Sequence, residues 1–262
     1  MCPRAPPVFT KHGYQAKRTT AAAGAGAAWG GGHGGGGAGV SAWREQRVFF
    51  LDFEGSVGSG ILEFGVVTLE QGEITATRTR LCAARGAVRR EDTAVHGLDA
   101  ARVAGAAPFS AEWDYFAGLR EAGPLAAHYA GAENALLKAV WPYPRRSPDF
   151  SRPGQSVVEW GPWLDSARLF AHFFPRAASG RLEDVVRATG GQAELDALAA
   201  AHCPAERRHY HAALYDALAG AWLLRALARD PETGRLTMMQ MLALSTLDAA
   251  KREALQQGEL FT

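Results

Sequence analysis

The stretch that decides the fold is Arg47-Val48-Phe49-Phe50-Leu51-Asp52-Phe53-Glu54-Gly55. Its apolar run is continuous rather than alternating, as in a strand covered on both faces. Residues two apart on a strand share a face, so Asp52 and Glu54 emerge side by side at its end while Phe53 points the other way. Two carboxylates that close repel, and each raises the other's pKa. A divalent cation relieves the repulsion, and hard oxygen donors suit Mg²⁺ and Mn²⁺. Two solvated acids at a strand end would read the same, so the pair needs support from elsewhere in the chain.

Working outward, Gly55 to Gly60 reads as a turn and residues 62–69 as a second strand. Gln71-Gly72-Glu73 is a hairpin connection into a third strand near 74–81, which makes an antiparallel meander. After a loop through His96 and Gly97, residues 110–122 have helical spacing with Ser110 as N-cap. Residues 124–128 read as a short strand, 131–140 as a helix ending before Pro142, and the proline-rich 142–155 as a loop. Residues 163–173 read as a strand end running into a short helix. Helices follow near 181–189, 192–201 and 212–228, then a turn from Pro231 to Gly234 and an amphipathic stretch over 237–257. Strands first, then strands alternating with helices, imply a mixed sheet covered by helices.

Composition bounds the function classes. The 262 residues, 47% hydrophobic, suit one domain of ordinary size with extensions. Residues 1–44 hold Arg4, Lys11, Lys17, Arg18 and Arg44 and no acid, with glycines from Gly30 to Gly37 broken only by His33. Such a segment has too little apolar surface to offset the entropy of ordering it, so it reads as a disordered basic tail. It lacks the apolar centre of a secretory signal, and its glycine run fits a transit peptide poorly. Residues 45–230 read as the folded domain and 231–262 as a C-terminal helical extension. Of 28 Lys and Arg, five lie in the tail, which leaves 23 against 27 acidic residues. A passive nucleic-acid binder usually has the opposite sign. An enzyme that gathers carboxylates around metal ions can be acidic and still take phosphate. Cys2, Cys82 and Cys203 are too scattered for a zinc site or a disulfide framework and suit a reducing cytoplasm. No apolar run approaches the length of a membrane span.

Two further groups could complete a site. His211 and Asp216, in His211-Ala212-Ala213-Leu214-Tyr215-Asp216, would lie roughly 140° out of phase on one helix. To act together, His211 must lie in the loop entering the helix, with Asp216 on its second turn. The polar Arg207-Arg208-His209-Tyr210 supplies that loop. A histidine there is a base with a pKa near neutral, and a surface histidine beside an exposed aspartate is the plainer reading. In His128-Tyr129-Ala130-Gly131-Ala132-Glu133 a strand ends near His128, and the next helix presents Glu133 in its first turns. Charge complementarity with the helix N-terminus is the alternative there. Together these acids sit at the ends of separate elements, as a two-metal phosphoryl-transfer site requires.

In chain order, the motifs resemble those of the DEDDh-type 3′–5′ exonucleases of the RNase H-like fold, the group that includes RNase T. Leu51-Asp52-Phe53-Glu54-Gly55 is similar to the family's first motif, and Thr93 to Leu98, with His96-Gly97, to a segment that often follows the third strand. Ala127-His128-Tyr129-Ala130 through Glu133 is similar to the second motif, Leu164-Asp165-Ser166 to an Asp-Thr before the next helix, and His211 with Asp216 to the third. The likeness covers about residues 46–229. It departs at Glu133, where the family usually carries Asp, and at Tyr129, where it often has Asn. The resemblance implies an α/β fold with a mixed five-stranded sheet, its first three strands antiparallel, flanked by helices. It implies two divalent cations, Mg²⁺ or Mn²⁺: Asp52, Glu54 and Asp216 on one, Asp52 bridging to the second, and Glu133 helping to hold the second through water. His211 would take the proton from the attacking water, and nucleoside 5′-monophosphates would leave the 3′ ends of DNA or RNA.

Phe53, Phe109, Trp160 and Trp163 are candidates for stacking on bases, with core packing as the other role for each. His96 and His128 are candidates for contacting substrate, with a loop-stabilising hydrogen bond as the alternative for His96. Gln257-Gly258-Glu259-Leu260-Phe261 resembles the short peptides that bind the bacterial sliding clamp, with Gly258 in place of the usual Leu; an ordinary frayed end is the plainer reading. Family members often dimerise, which makes a homodimer a further partner. The competing readings are a phosphodiesterase of very short oligonucleotides and a catalytically weak or inactive nucleic-acid or partner-binding module of the same fold.

Overall fold

The computed structural model describes residues 41–175 and 180–246. β1 (Val48–Ser56), β2 (Gly60–Glu70) and β3 (Glu73–Leu81) form the expected antiparallel meander. After them come α1 (Arg90–His96), α2 (Ala100–Val103), α3 (Trp113–Ala122), β4 (Leu125–Ala127) and α4 (Ala130–Val140). A small hairpin of β5 (Ser147–Pro148) and β6 (Ser156–Val157) leads to β7 (Trp163–Asp165) and α5 (Ser166–Phe173). α6 (Leu182–Ala188), α7 (Gln192–His202), α8 (Ala213–Arg229) and α9 (Met238–Ser245) complete the described chain. The main sheet has five strands in the order β3-β2-β1-β4-β7, with β4 parallel to β1 and β7 parallel to β4.

The side-chain parity of β1 divides the core in two. Val48 and Phe50, with Val67 and Leu69 of β2, pack under α8. Phe49, Leu51 and Phe53, with Phe64 and Val66, pack on the other face against Phe109, Phe116 and Leu137. Both faces of the central strand are covered, which is why its sequence is continuous rather than alternating. Asp52 and Glu54 extend the row begun by Val48 and Phe50, so they come out under the start of α8. α8 is apolar on nearly all sides and accordingly buried. Two glycines let it lie close to the sheet. A Cβ on Gly65 would sit 2.2 Å from the Ala213 carbonyl oxygen, and one on Gly220 would sit 1.9 Å from the Phe50 ring.

Several expectations need correction. The tail boundary at 44 falls inside packed structure: Trp43 is buried, and its N–H and indole N–H donate to the carbonyls of Leu236 and Thr233. The C-terminal segment is no separate extension at its start, because Met238, Met241 and Leu242 belong to the α8 core. The loop through His96 contains two short helices, α1 and α2. Ser110 lies in a 3₁₀ turn, Phe109–Glu112, that begins after Pro108, so α3 starts at Trp113. The loop at 142–155 carries β5, whose Pro148 carbonyl is tied by the Arg120 guanidinium to the carbonyls of Glu159 and Gly161 in the segment after β6. The Gln257 to Phe261 segment lies outside the described residues. Among the described residues no helix is long and apolar enough to cross a membrane, and Cys82 and Cys203 are free and buried.

Candidate metal centre

The site lies at the C-terminal end of β1, where three elements converge. Asp52 faces Gly65 and Glu54 faces Glu63 across the β1–β2 pair. A register shift follows at Glu54 and Gly55, where Gly55 takes φ 133, and the strand turns away from the site. α8 brings Asp216 over this row in its first turn, one turn earlier than the spacing suggested. His211 stands in the loop before α8, as the five-residue spacing demands, with its backbone left-handed at φ 64. Its N–H donates to Asp216 Oδ2 at 3.0 Å, so the two motif residues are directly joined. Ligand atoms of Glu54, His211 and Asp216 all lie within 4.8 Å of one another.

Glu133 reaches the same place from the opposite layer, in the first turn of α4. Tyr129 precedes α4 in the left-handed region, φ 60, and this turn is held from below. The Asp165 carboxylate accepts from the N–H groups of Tyr129 and Ala130 at 3.3 and 3.2 Å, and from Ala167 and Arg168 at the start of α5. Asp165 therefore fixes the turn that carries Glu133 towards Asp52. Asp52 and Glu133 are not in the 4.8 Å trio, but charge couples them to it. After burial, Glu133 is the largest cause of the upward shift of the Asp52 carboxyl, followed by Asp216 and Glu54.

Electrostatics fit a cation site. Burial first, then Asp216 and Glu63, push Glu54 up to about 9, against the opposing pull of Arg207. Burial pushes Glu133 up to about 8, although a backbone hydrogen bond from Phe53 pulls it down. Burial pushes Asp216 up to about 7, against the His211 N–H and Arg207. Four acids that resist ionisation in one place need positive charge to hold them as carboxylates. Glu133 Oε2 and Asp216 Oδ1 are buried with no hydrogen-bond partner among the described residues. Native proteins rarely leave such atoms unpaired without a functional reason. The donor set, all carboxylate oxygen with one imidazole beside it, suits Mg²⁺ or Mn²⁺.

The candidates for substrate contact are placed differently. The Phe53 ring is buried against Phe109 and Phe116, at centroid distances of 5.5 and 5.7 Å, so it is core rather than a free stacking surface. Phe109 and Trp160 are buried too, while Trp163 is half-buried and donates its indole N–H to Asn134. His96 is buried at the end of α1, its Nδ1 accepting from the Leu98 N–H at 3.1 Å, which is the loop-stabilising role. His128 has both ring nitrogens engaged, one with Ser166 Oγ at 2.9 Å and one with the Gly180 carbonyl at 3.0 Å. Two residues outside the sequence motifs also belong to the site's frame, Glu63 and Arg207, which form a buried ion pair beneath the His211 loop. Glu63 left one trace in the sequence, a lone acid inside an apolar strand, which demands a buried partner.

No family model matches the chain, and no curated protein matches it. Solved structures do. Exonuclease X in complex with 5′-overhanging duplex DNA superposes with a TM-score of 0.53 at 20% identity, over 76% of this chain and 99% of that one. The nuclease domain of 3′hExo, a DEDDh family member bound to rAMP, gives 0.52 at 15% identity, over 73% and 96%. E. coli Exonuclease I in complex with a dT13 oligonucleotide gives 0.51 at 12% identity, over 70% of this chain but only 41% of that longer one. At these identities the likeness establishes the fold alone: the chain shares the architecture of these exonuclease structures, a mixed five-stranded sheet flanked by helices.

Proposed function

We propose that this protein is a metal-dependent 3′–5′ exonuclease that releases nucleoside 5′-monophosphates from nucleic-acid ends. The observation that carries the reading is the pair of buried, unpartnered oxygens, Glu133 Oε2 and Asp216 Oδ1, within a group of acids whose mutual repulsion calls for cations. Asp52, Glu54, Glu133 and Asp216 would hold two divalent ions, Mg²⁺ or Mn²⁺. Bound there, such ions polarise the scissile phosphate and stabilise the attacking and leaving oxygens. His211 is exposed and within 4.8 Å of Glu54 and Asp216 by ligand atoms, so its ring is open to the attacking water and takes its proton. Asp216 contributes twice, as a donor oxygen and as the acceptor that holds the His211 backbone. Glu133 keeps the charge and the oxygen of the aspartate usual at this position and reaches one methylene further. Nucleic acid as substrate class is supported by the neighbours, whose structures hold duplex DNA, an oligonucleotide or rAMP.

The test is degradation of 5′-labelled single-stranded DNA and RNA oligonucleotides in Mg²⁺ and in Mn²⁺, beside EDTA and Asp52→Ala controls. The reading predicts a ladder shortening from the 3′ end that both controls abolish. No cleavage of either substrate in either metal would leave the fold as a binding module.

A further inference from the structure

The Arg207–Glu63 pair is a heavily bonded buried ion pair in the site's frame, and the proposed chemistry leaves it without a role. Both side chains are nearly inaccessible, at 7% and 4% exposure. The Arg207 guanidinium uses its whole fork. Nε and Nη2 bind the two Glu63 oxygens, Nη1 donates to the His96 carbonyl at 2.7 Å, and Nη2 donates to the His211 carbonyl at 3.1 Å. Glu63 Oε2 also accepts the Ala213 N–H at 3.1 Å, which ties off the first amide of α8. The residue at the usual capping position, Ala212, has no side chain that could do so. One ion pair thus joins four segments: β2, the end of α1, the His211 loop and the start of α8.

A buried ion pair contributes little net stability, because the cost of desolvation offsets the attraction. What this pair supplies is direction. His211 occupies a left-handed conformation that a residue with a Cβ rarely adopts, and two bonds hold it there: its N–H to Asp216 and its carbonyl from Arg207. A lysine at 207 could keep the charge opposite Glu63 but could not reach three acceptors in different directions.

We propose that Arg207, seated on Glu63, is a positioning residue of the site, fixing the backbone on which His211 stands, and that it affects turnover chiefly through His211. The inference rests on the reading of His211 as the base. Arg207→Lys retains the positive charge under Glu54 and Asp216, so it separates geometry from field. It should lower kcat about tenfold or more with little change in KM. In a His211→Ala background the same substitution should change kcat by less than about twofold, because its route of action is already gone. Amide exchange over residues 207–214 should accelerate in Arg207→Lys in the metal-free protein, while residues 125–140 stay as in wild type. Equal fractional losses on both backgrounds, or unchanged exchange in the loop, would overturn the proposal. If His211→Ala turns over like wild type, the base assignment fails, and the exchange experiment still decides whether Arg207 positions the loop. Should Arg207→Lys fail to fold, the paired Arg207→Gln, Glu63→Gln variant removes both charges together and takes the same test.

Discussion

In the proposed function the chemistry would turn on His211 and Glu133, and each can be tested alone. His211 is exposed and bonded through its backbone, so removing its imidazole takes away a base without opening the core. His211→Ala should lower kcat by roughly 10²–10⁴-fold while thermal melting stays near wild type; steady-state kinetics and calorimetry check both parts. Glu133→Gln removes the charge and should abolish measurable turnover, whereas Glu133→Asp, which restores the shorter acid, should keep it. Equal activity of all three proteins would remove Glu133 from the cation site. At this scale the sequence was readable where the gathered residues lie within short motifs: Asp52 with Glu54, His211 with Asp216, and Glu133 after His128. The Glu63–Arg207 pair spans 144 residues, and no local pattern joins its partners. Phe53 shows the other limit, since strand parity puts its ring in the core whatever the chemistry beside it.

Among the elements, α8 matters most, because its first turn delivers Asp216 and its length closes one core. Its approach depends on Gly65, which pairs with Asp52 in the sheet and lies against the Ala213 carbonyl. Gly65→Ala forces the start of α8 away from β2, so it should lower the melting temperature, at a cost of roughly 1–3 kcal/mol, and also depress turnover. Gly220→Ala meets the Phe50 ring farther along the helix and should destabilise similarly with less effect on activity per degree lost. Denaturation curves with parallel kinetics distinguish the two; equal activity losses would mean that α8 moves as a rigid unit. Strands and long helices were legible because burial imposes either a long apolar run, as in β1 and α8, or a period on them. The short α1 and α2 were not, since seven and four residues leave too few apolar positions to show one. The start of α3 was misplaced because Pro108 opens a 3₁₀ turn before the helix, a choice of backbone that Ser110 does not reveal.

For the molecule as a whole, the gathered acids should make stability depend on pH and, if they hold cations as proposed, on metal. Burial first, and then neighbouring acids, push Glu54, Glu133 and Asp216 up to about 9, 8 and 7, above the ordinary carboxylate range, and push Asp52 up as well. Acids whose pKa rises on folding hold their protons more tightly in the native state. Their contribution to stability is therefore full below about pH 4, the ordinary carboxylate value, and is lost as pH rises through the native values. The metal-free protein should melt progressively lower between about pH 5 and 9, and Mn²⁺ should flatten the profile, because bound cations favour the ionised acids. A metal-free melting temperature that rises across this range would contradict the electrostatic account.

The central claim is that these four acids form a site for two divalent cations, and calorimetric titration of the metal-free protein with Mn²⁺ at neutral pH tests it most directly. The account predicts two ions per chain in wild type and loss of the pair in Asp52→Asn, since Asp52 is coupled by charge to Glu133, Asp216 and Glu54. No binding, or a titration that Asp52→Asn leaves unchanged, would contradict it.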